Sequence, residues 1–317
     1  MPLTRRKDET RRDEARREAP VATLELPREA VEEPAEPRVT AILIGYNQAP
    51  ALRRAIEALE RSTNRERLEI LVVDCGSRDE SSALDSDYAG ISMLRLPHDF
   101  GATKALNIGT RTAKAELLFY LSPNVEVAPD TVTALADRLE ADPELSAVCP
   151  LLVDDHGAPV SSQRALPGPE TLAAACQGQP IPGSALDLSQ ESIVMEYPHI
   201  AALLVRKHFI KGMNHFDERF GHYWADADLA AQIRRAQRKA CLYPAIRATY
   251  HAAPDPRAGD PLVEADCILG AAAFLGKYGG GGFGFRLSAI FRALFSFKFK
   301  LFVALISGQK LDGTQAM

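Results

Sequence analysis

The sequence predicts an α/β fold with a mainly parallel sheet and helices on both of its faces. From Val39 onward, short apolar runs alternate with helical stretches, which is the pattern of repeated β-α-β units. Three polar clusters stand where predicted strands end, and ligands of such sheets bind at the carboxyl ends of strands. We therefore expect a ligand site at the edge of the sheet where those clusters meet.

The elements follow in chain order. Strands are predicted at 39–44, 68–73, 91–96, 117–121 and 147–149, and helices at 50–61 and 101–114 and from residue 129 onward. Residues 154–192 are rich in Gly, Pro, Ser and Gln, which predicts irregular structure that we interpret as a mobile loop over the site. Strand, helix and strand signals return between Ile200 and His251, and 258–278 is predicted to be helical.

Composition restricts the class of protein. The 317 residues, of which 46% are hydrophobic and 25% charged, are ordinary for a soluble globular protein with a sizeable core. A formal charge of -5 gives no reason to expect nucleic-acid binding. The five cysteines are odd in number and widely spaced, so we expect no disulfide framework and a reducing cytosol. The basic N-terminus has no apolar segment behind it, and no secretory signal is predicted.

Three regions are expected along the chain. Residues 1–37 mix acidic and basic side chains with few apolar ones, which predicts a disordered charged tail because such a segment cannot offset its ordering entropy. Residues 38–257 carry the α/β elements. Residues 258–317 are expected to form a helical, aromatic and basic segment.

The C-terminal segment is a candidate membrane contact. Phenylalanines are concentrated between 283 and 306, and the charges there are only basic: Arg286, Arg292, Lys298 and Lys300. These charges interrupt the apolar run, which argues against a spanning helix. The composition fits an interfacial helix whose basic residues meet anionic headgroups. Packing against a partner chain is the alternative.

The strongest motif follows the second predicted strand. It reads VVDCGSRD over residues 72–79, and Gly45-Tyr46-Asn47 ends the first strand. A strand-end carboxylate such as Asp74 can accept hydrogen bonds from a uracil or thymine edge or from a ribose hydroxyl. A simple turn is the alternative reading of the same residues. In this spacing the motifs resemble those of family 2 glycosyltransferases, in which V-V-D-x-G-S-x-D follows a strand that ends in T-Y-N.

The resemblance continues in order through residues 39–252. The matching stretches are FGATKALNIG at 100–109, LLVRK at 203–207, FDERF at 216–220 and YWADADL at 223–229, with His251 in place of a late histidine. The nearest subgroup is rhamnosyltransferase-like. The resemblance implies a GT-A-type nucleotide-diphospho-sugar transferase fold followed by C-terminal helices. It also implies inverting transfer of a sugar to a hydroxyl acceptor, in cell-envelope polysaccharide or glycolipid synthesis.

Site residues follow from the matched motifs. The resemblance places the nucleotide sugar against Tyr46, Asn47, Asp74, Gly76, Ser77, Lys104, Asn107, Ser122 and Asn124. Asp226 resembles the general base that takes the acceptor proton, with Trp224 and Asp228 on the acceptor side. Alternatively, Asp226 and Asp228 only begin a helix, where carboxylates suit the positive end.

The sequence also departs from the family pattern. The acidic D-x-D triplet that binds Mg²⁺ or Mn²⁺ in the family is Ser122-Pro123-Asn124 here, and Asp99 stands where Asn is usual. A hard divalent cation prefers anionic oxygens, so metal affinity should fall even though Asn124 keeps a carbonyl oxygen. Glu126, two residues further on, is the alternative carboxylate, although alternation along a strand leaves its direction open. His251 is either a weak metal ligand or a strand-end histidine with another partner. Ala225 replaces the Glu of a Glu-Asp pair, and Gln232 replaces an arginine.

Two functions therefore remain open. The first is a glycosyltransferase, cytoplasmic or peripheral at the inner face of the plasma membrane, acting on a hydroxyl or lipid-linked glycan acceptor. The second is a catalytically inactive relative that serves as a nucleotide-binding or scaffolding module. A nucleotidyltransferase is a weaker third reading, because no Gly-rich phosphate loop follows the first strand.

Overall fold

The computed structural model describes residues 36–258 and 260–311. Within them, the strands are β1 Val39–Gly45, β2 Leu68–Asp74, β3 Ile91–Arg95, β4 Leu117–Leu121, β5 Val125–Val127, β6 Leu145–Val153, β7 Ile193–Val194, β8 Ala202–Arg206 and β9 Lys239–Tyr250. They form one sheet in the order β3-β2-β1-β4-β8-β6-β9-β5, with β7 paired to β9. The charged tail expected at 1–37 lies outside the described residues except for its last two positions.

Helices lie between most successive strands, and further helices follow β9. They are α1 Ala49–Glu60, α2 Ala102–Thr112, α3 Thr131–Ala141, α4 Pro169–Ala175, α5 Lys207–Gly212, α6 Ala225–Arg235, α7 Pro261–Tyr278, α8 Gly282–Phe295 and α9 Phe299–Ser307. The segment 154–192, predicted to be irregular, is largely so but contains the short α4. Apolar positions at helical spacing explain α1, where Leu52, Ile56 and Leu59 are fully buried on one face.

The N-terminal half of the sheet is parallel. Strand β1 pairs in parallel with β2 on one side and with β4 on the other. In this register Gly45 lies opposite Asp74, and Leu43 lies opposite Leu121. Parallel strands end at the same edge, so the polar residues that follow β1, β2 and β4 are brought together.

The other half of the sheet is mixed. Strand β8 runs antiparallel to both β4 and β6, whereas β6 and β9 are parallel. Apolar clusters cover both faces, with α1 and α3 on one and α2 and α6 on the other. The predicted α/β class with helices on both faces is therefore confirmed, and parallel pairing predominates in the first half only.

The C-terminal helices pack on one another and on the sheet domain. Helices α7, α8 and α9 share an apolar cluster with Leu172 of α4, Phe220 and Trp224. A Cβ added to Gly282, at the start of α8, would collide with the backbone oxygen of Ala272. Glycine thus permits the close approach of α8 to α7. Over the residues the structure describes, no helix combines the length and apolarity needed to cross a bilayer.

A disulfide joins the segment after β6 to the C-terminal helices. Cys176, directly after α4, is bonded to Cys267 of α7, with 5.5 Å between their Cα atoms. The expectation of no disulfide is wrong. The odd cysteine count arises because Cys75, Cys149 and Cys241 are free and buried. The pair lies 91 residues apart in sequence, and the residue spacing gave no sign that the fold brings the two cysteines together. The cysteine pattern therefore no longer supports a reducing compartment.

The disulfide should stabilise the fold by closing this long loop. Replacing Cys176 with Ser should lower the free energy of unfolding by about 3–5 kcal/mol, since the open chain gains loop entropy when unfolded. Denaturant titration with and without dithiothreitol measures the change. The reductant should destabilise the wild type but leave the Cys176→Ser variant unchanged; equal stability of wild type and variant would contradict the prediction.

Candidate functional site

A cavity of about 360 Å³ opens at the carboxyl ends of β1 and β4. Among the predicted nucleotide-binding residues, Tyr46, Ser122 and Asn124 line it. The loop after β9 contributes Ala253, Asp255 and Arg257 to its lining. The cleft thus lies where the parallel half of the sheet predicts a ligand.

The turns after β1 and β2 are tied to each other by hydrogen bonds. The Asn47 backbone N–H donates to Ser77 Oγ at 2.9 Å, and the Arg78 N–H donates to Asn47 Oδ1 at 2.8 Å. The Ser77 N–H in turn donates to Asp74 Oδ2 at 3.2 Å. These bonds use the polar groups of Asn47 and Ser77 to fix the shape of the site.

Gly76 lets this turn approach the loop that follows β3. Its φ is 76°, in the left-handed region that favours glycine. An added Cβ would lie 2.7 Å from the Cα of His98 and 3.1 Å from its backbone nitrogen. Any side chain at residue 76 would therefore displace the His98 backbone.

Two strand-end acceptor atoms are buried without a partner among the described residues. They are Oδ1 of Asp74 and Oδ1 of Asn124, and Asp74 as a whole is only 2% exposed. A buried acceptor without a hydrogen bond costs free energy, and a ligand donor can remove that cost. Asp74 is the last residue of β2 and Asn124 follows β4, and these two strands flank β1.

Lys104 and Asn107 lie on α2 and do not line the cavity. The Lys104 ammonium lies 4.6 Å from the centre of the Phe100 ring. Asn107 is 1% exposed, and its side-chain amide bonds both the N–H and the C=O of Phe216, at 2.9 and 2.8 Å. This amide therefore fastens the Phe216 segment to α2.

Asp226 stands in the first turn of α6, next to buried polar groups. Burial, and then the negative charge of Asp226, raise the pKa of Tyr197 well above its ordinary value. The Tyr197 hydroxyl thus remains protonated. The Arg164 guanidinium lies 4.2 Å from the centre of the Tyr197 ring. The Tyr197 phenol is therefore buried under the influence of both the Asp226 carboxylate and the Arg164 guanidinium.

His199 connects this region with the main cleft. It lines a second cavity of about 340 Å³ together with Arg164, and its ring centroid lies 6.3 Å from that of Tyr250, which lines the first cavity. Burial, and then Arg164, lower the pKa of His199 to about 4 against the attraction of Asp226. The stability that this neutral imidazole provides is present above pH 6.5 and is lost as pH falls through about 4.

Trp224 and Asp228, expected on the acceptor side, are engaged in the protein interior. The Trp224 indole N–H donates to the Cys267 carbonyl at 2.9 Å. Asp228 is fully buried and accepts from Tyr278 Oη at 2.5 Å and from Lys277 Nζ at 2.7 Å. Neither residue lines the two cavities. Their contacts join α6 to α7.

The predicted metal residues do not form a ligand set for a hard cation. The Asn124 side chain offers only a neutral oxygen. The backbone N–H of His251 donates to the backbone carbonyl of Asn124 at 2.8 Å. His251 Nδ1 contacts Asp155 at 2.5 Å, and Nε2 contacts Glu126 at 3.2 Å. Because the two nitrogens lie on opposite edges of the ring, the two carboxylates cannot both join the imidazole around one ion. Nor does any other group of three potential ligands assemble in the described part of the chain.

Sequence reasoning missed the residues that the loop after β9 contributes to the cleft. Arg257 stacks on Tyr46, with its guanidinium carbon 4.4 Å from the ring centroid, and its Nη2 lies 2.7 Å from Asp99 Oδ2. Arg257 follows the last matched motif, on a segment without periodicity. The one available signal was Asp99, an acidic residue where the family motif has Asn.

Comparison with known proteins agrees with this architecture. Residues 40–209 match the family model described as glycosyl transferase family 2. One relative is N-acetylglucosaminyl-diphospho-decaprenol L-rhamnosyltransferase of Mycobacterium tuberculosis, 24% identical over 67% of this chain and 75% of its own length. Another is the O-antigen biosynthesis protein RfbC of Myxococcus xanthus, 24% identical over 75% of this chain and 19% of its own length.

Solved structures share the fold. GalNAc-T7 with UDP, GalNAc and Mn²⁺ matches with a TM-score of 0.57 and 16% identity. The match covers 69% of this chain and 45% of the GalNAc-T7 chain. The mannosyltransferase PcManGT from Pyrobaculum calidifontis, in complex with GDP-Man and Mn²⁺, matches with a TM-score of 0.50 and 17% identity over 89% of both chains. The expected GT-A-type fold is confirmed.

Replacing Asn107 with Ala should destabilise the protein. The change leaves the buried N–H and C=O of Phe216 without partners, and we expect the free energy of unfolding to fall by about 2–4 kcal/mol. Chemical denaturation measures it. The matched control is Thr112→Ala, at the exposed end of the same helix, which should change stability little. An Asn107→Ala variant as stable as the control would contradict this account of the amide.

Proposed function

Since this chain belongs to glycosyl transferase family 2, we propose that it transfers a sugar from a nucleotide-diphospho-sugar donor to a hydroxyl acceptor. One observation carries the proposal: polar residues that follow β1 and β4, far apart in sequence, line one cleft, and the unpartnered Oδ1 of Asp74 ends β2 at the same edge of the sheet. Asp226 acts electrostatically on His199, which lines the adjoining cavity.

The donor binds across the carboxyl edge of β1, β2 and β4. The unpartnered Oδ1 of Asp74 suits an N–H of the base or a ribose hydroxyl, since a carboxylate only accepts hydrogen bonds. Tyr46 offers an aromatic face at the rim, and Gly76 keeps the turn near Asp74 compact. Ser122 and Asn124 lie where the diphosphate and sugar would follow.

The acceptor reacts from the side of Asp226. The carboxylate takes the proton of the acceptor hydroxyl, and the acceptor oxygen forms a bond to the anomeric carbon. The bond from that carbon to the diphosphate breaks, and its electron pair leaves with the nucleoside diphosphate. Attack opposite the leaving group inverts the sugar configuration. Positioning both reactants supplies much of the rate enhancement.

The relatives favour an envelope glycan as the product. One is named for transfer of rhamnose to a diphospho-decaprenol-linked sugar, and another for O-antigen biosynthesis. We propose a lipid-linked or envelope glycan acceptor for this chain as well. Such an acceptor lies at a membrane surface.

The C-terminal helices supply a surface for that membrane, here called the aromatic face. Its exposed apolar residues recur at helical spacing on α8 and α9 and in the turn between them: Phe283, Leu287, Phe291, Leu294, Phe295, Phe297, Phe299, Val303 and Ile306. Smaller residues such as Ala289, Ala293 and Ala304 face inward. Arg292 and Lys300 lie among them, Lys298 is paired with Glu264 of α7 at 2.8 Å, and no acidic residue occurs between Tyr278 and Leu311. We propose that the face inserts shallowly into anionic lipid.

A second function is favoured by a specific set of residues. Asn124, Ala225 and Gln232 stand where the family pattern has charged side chains, and Trp224 and Asp228 are occupied in the interior. A protein that binds the nucleotide without turnover would have this arrangement. The inactive relative is therefore the rival, distinguished by nucleotide binding without release of nucleoside diphosphate.

Replacing Asp226 with Asn should separate binding from turnover. The amide keeps the size of the side chain but cannot take the acceptor proton, and we expect transfer to fall at least about 100-fold. Donor affinity should stay within about twofold, because Asp226 lies outside the main cleft. Release of nucleoside diphosphate from uridine, thymidine and guanosine sugar donors measures transfer, and calorimetry measures binding.

The matched control is Asp137→Asn, an exposed carboxylate on α3 paired with Arg38. It should retain full transfer activity. Donor binding by the wild type without turnover on any acceptor would establish the inactive relative instead, and undiminished transfer by Asp226→Asn would remove the residue from the mechanism.

Membrane contact is tested by the double variant Phe295→Ser/Phe299→Ser. We expect partitioning onto vesicles that contain phosphatidylglycerol to fall at least about tenfold, since each exposed ring loses its burial in the lipid boundary. Co-sedimentation measures it. Val160→Ser/Leu188→Ser changes two exposed apolar residues elsewhere and should bind as the wild type does. Wild-type protein that ignores anionic vesicles, or that dimerises through this face, would contradict the proposal.

A further inference from the structure

The departing diphosphate of a nucleotide sugar carries negative charge that must be stabilised in the cleft. Divalent cations do this where anionic ligands hold them. Here the strand-end triplet is Ser122-Pro123-Asn124, which is neutral, and the nitrogens of His251 are directed at two different carboxylates. The cleft therefore needs another source of positive charge.

We propose that the Arg257 guanidinium binds the diphosphate of the donor and takes the place of the metal, a role that rests on the proposed function above. Among the described residues that line the cavity, Arg257 is the only Lys or Arg. Its side chain is 16% exposed, so it is held at the wall and still reaches the cleft. Guanidinium keeps its charge at all physiological pH values.

Arg257 is fixed on two sides. Its Nε and Nη2 donate to Asp99 Oδ2 at 2.8 and 2.7 Å, and its plane stacks over Tyr46. The other oxygen of Asp99 accepts from the Gly101 N–H at 3.0 Å, which anchors the carboxylate to the start of α2. This support removes much of the freedom that a long side chain loses on binding.

One edge of the guanidinium remains directed away from Asp99. Its Nη1 lies 3.6 Å from Asp255 Oδ1, beyond ordinary hydrogen-bond distance, and both residues line the cavity. The N–H groups of this edge can donate to two oxygens of a diphosphate, the geometry in which arginine binds phosphate most strongly. The phosphate would replace the loose contact with Asp255.

The placement of charge is thereby reversed relative to the family pattern. A carboxylate is missing after β4, at Asn124, and one is present after β3, at Asp99. A carboxylate at residue 124 would bind a metal cation from solution, whereas Asp99 binds the guanidinium of Arg257, a cation of the protein itself. In the transfer step Arg257 exchanges no proton. Its N–H groups donate to the diphosphate oxygen that receives the electron pair of the broken bond.

Calorimetric titration of the full chain with UDP, dTDP and GDP, and with uridine, thymidine and guanosine, tests the proposal. The wild type should bind its preferred diphosphate equally well in EDTA and in Mn²⁺. Arg257→Gln should weaken the diphosphate about 10–100-fold, since charge-assisted hydrogen bonds to phosphate are lost, and should leave the nucleoside within about twofold. Arg257→Lys should recover part of the lost affinity, because lysine keeps the positive charge but lacks the paired N–H donors of the guanidinium.

The matched control is Arg247→Gln, an exposed arginine on β9, which should change neither affinity. Two outcomes would overturn the proposal: loss of wild-type diphosphate binding in EDTA, or an unchanged ratio of diphosphate to nucleoside affinity in Arg257→Gln, whether both affinities stay the same or fall equally. Failure of the proposed function looks different. A wild type that binds none of the nucleotides removes the role of Arg257 as well, whereas a wild type that binds them without turnover leaves the effect of Arg257→Gln on diphosphate binding intact.

Discussion

Parallel pairing of β1 with β2 and β4 is the constraint from which the candidate site follows. This register sets Gly45 opposite Asp74 and ends three strands at one edge. Burial on both faces holds the register, because a shift by one residue would turn apolar side chains of β1 into the wrong layer. The turns beyond it are then locked through Asn47 and Ser77. Polar atoms distant in sequence lie close together because the buried, parallel strands that precede them all end at the same edge of the sheet.

Much of this could be predicted from the sequence, since it depends on local patterns. Apolar runs and helical periodicity located β1, β2, β4 and α1 to within a residue or two, and the motif at 72–79 marked the edge of the sheet. The disulfide of Cys176 and Cys267 could not be predicted, because its geometry depends on how α4 packs against α7. Pairings across 91 residues leave no local trace.

Residue roles were harder to predict than positions. Asn107 and Asp228 carry groups suited to ligands, yet both are engaged inside the protein. Asn107 hydrogen-bonds to the backbone of Phe216, and Asp228 contacts Tyr278 and Lys277. Sequence alone cannot tell whether an amide or carboxylate will find a partner in the interior. Arg257 is the converse case, a residue from an unpatterned loop that the fold carries to the cleft.

The contact of Gly76 with the His98 backbone extends further than the turn in which it lies. The neighbouring Asp99 holds Arg257, so a missing methyl group at residue 76 helps set how far that cation reaches into the cleft. Gly76 supplies no side-chain atom to the cavity. A mutational scan that scored catalysis alone would nonetheless rank Gly76 with the residues that contact the ligand. An inhibitor chosen to fill the cleft would likewise meet a shape that depends in part on Gly76, a residue that does not line the cleft.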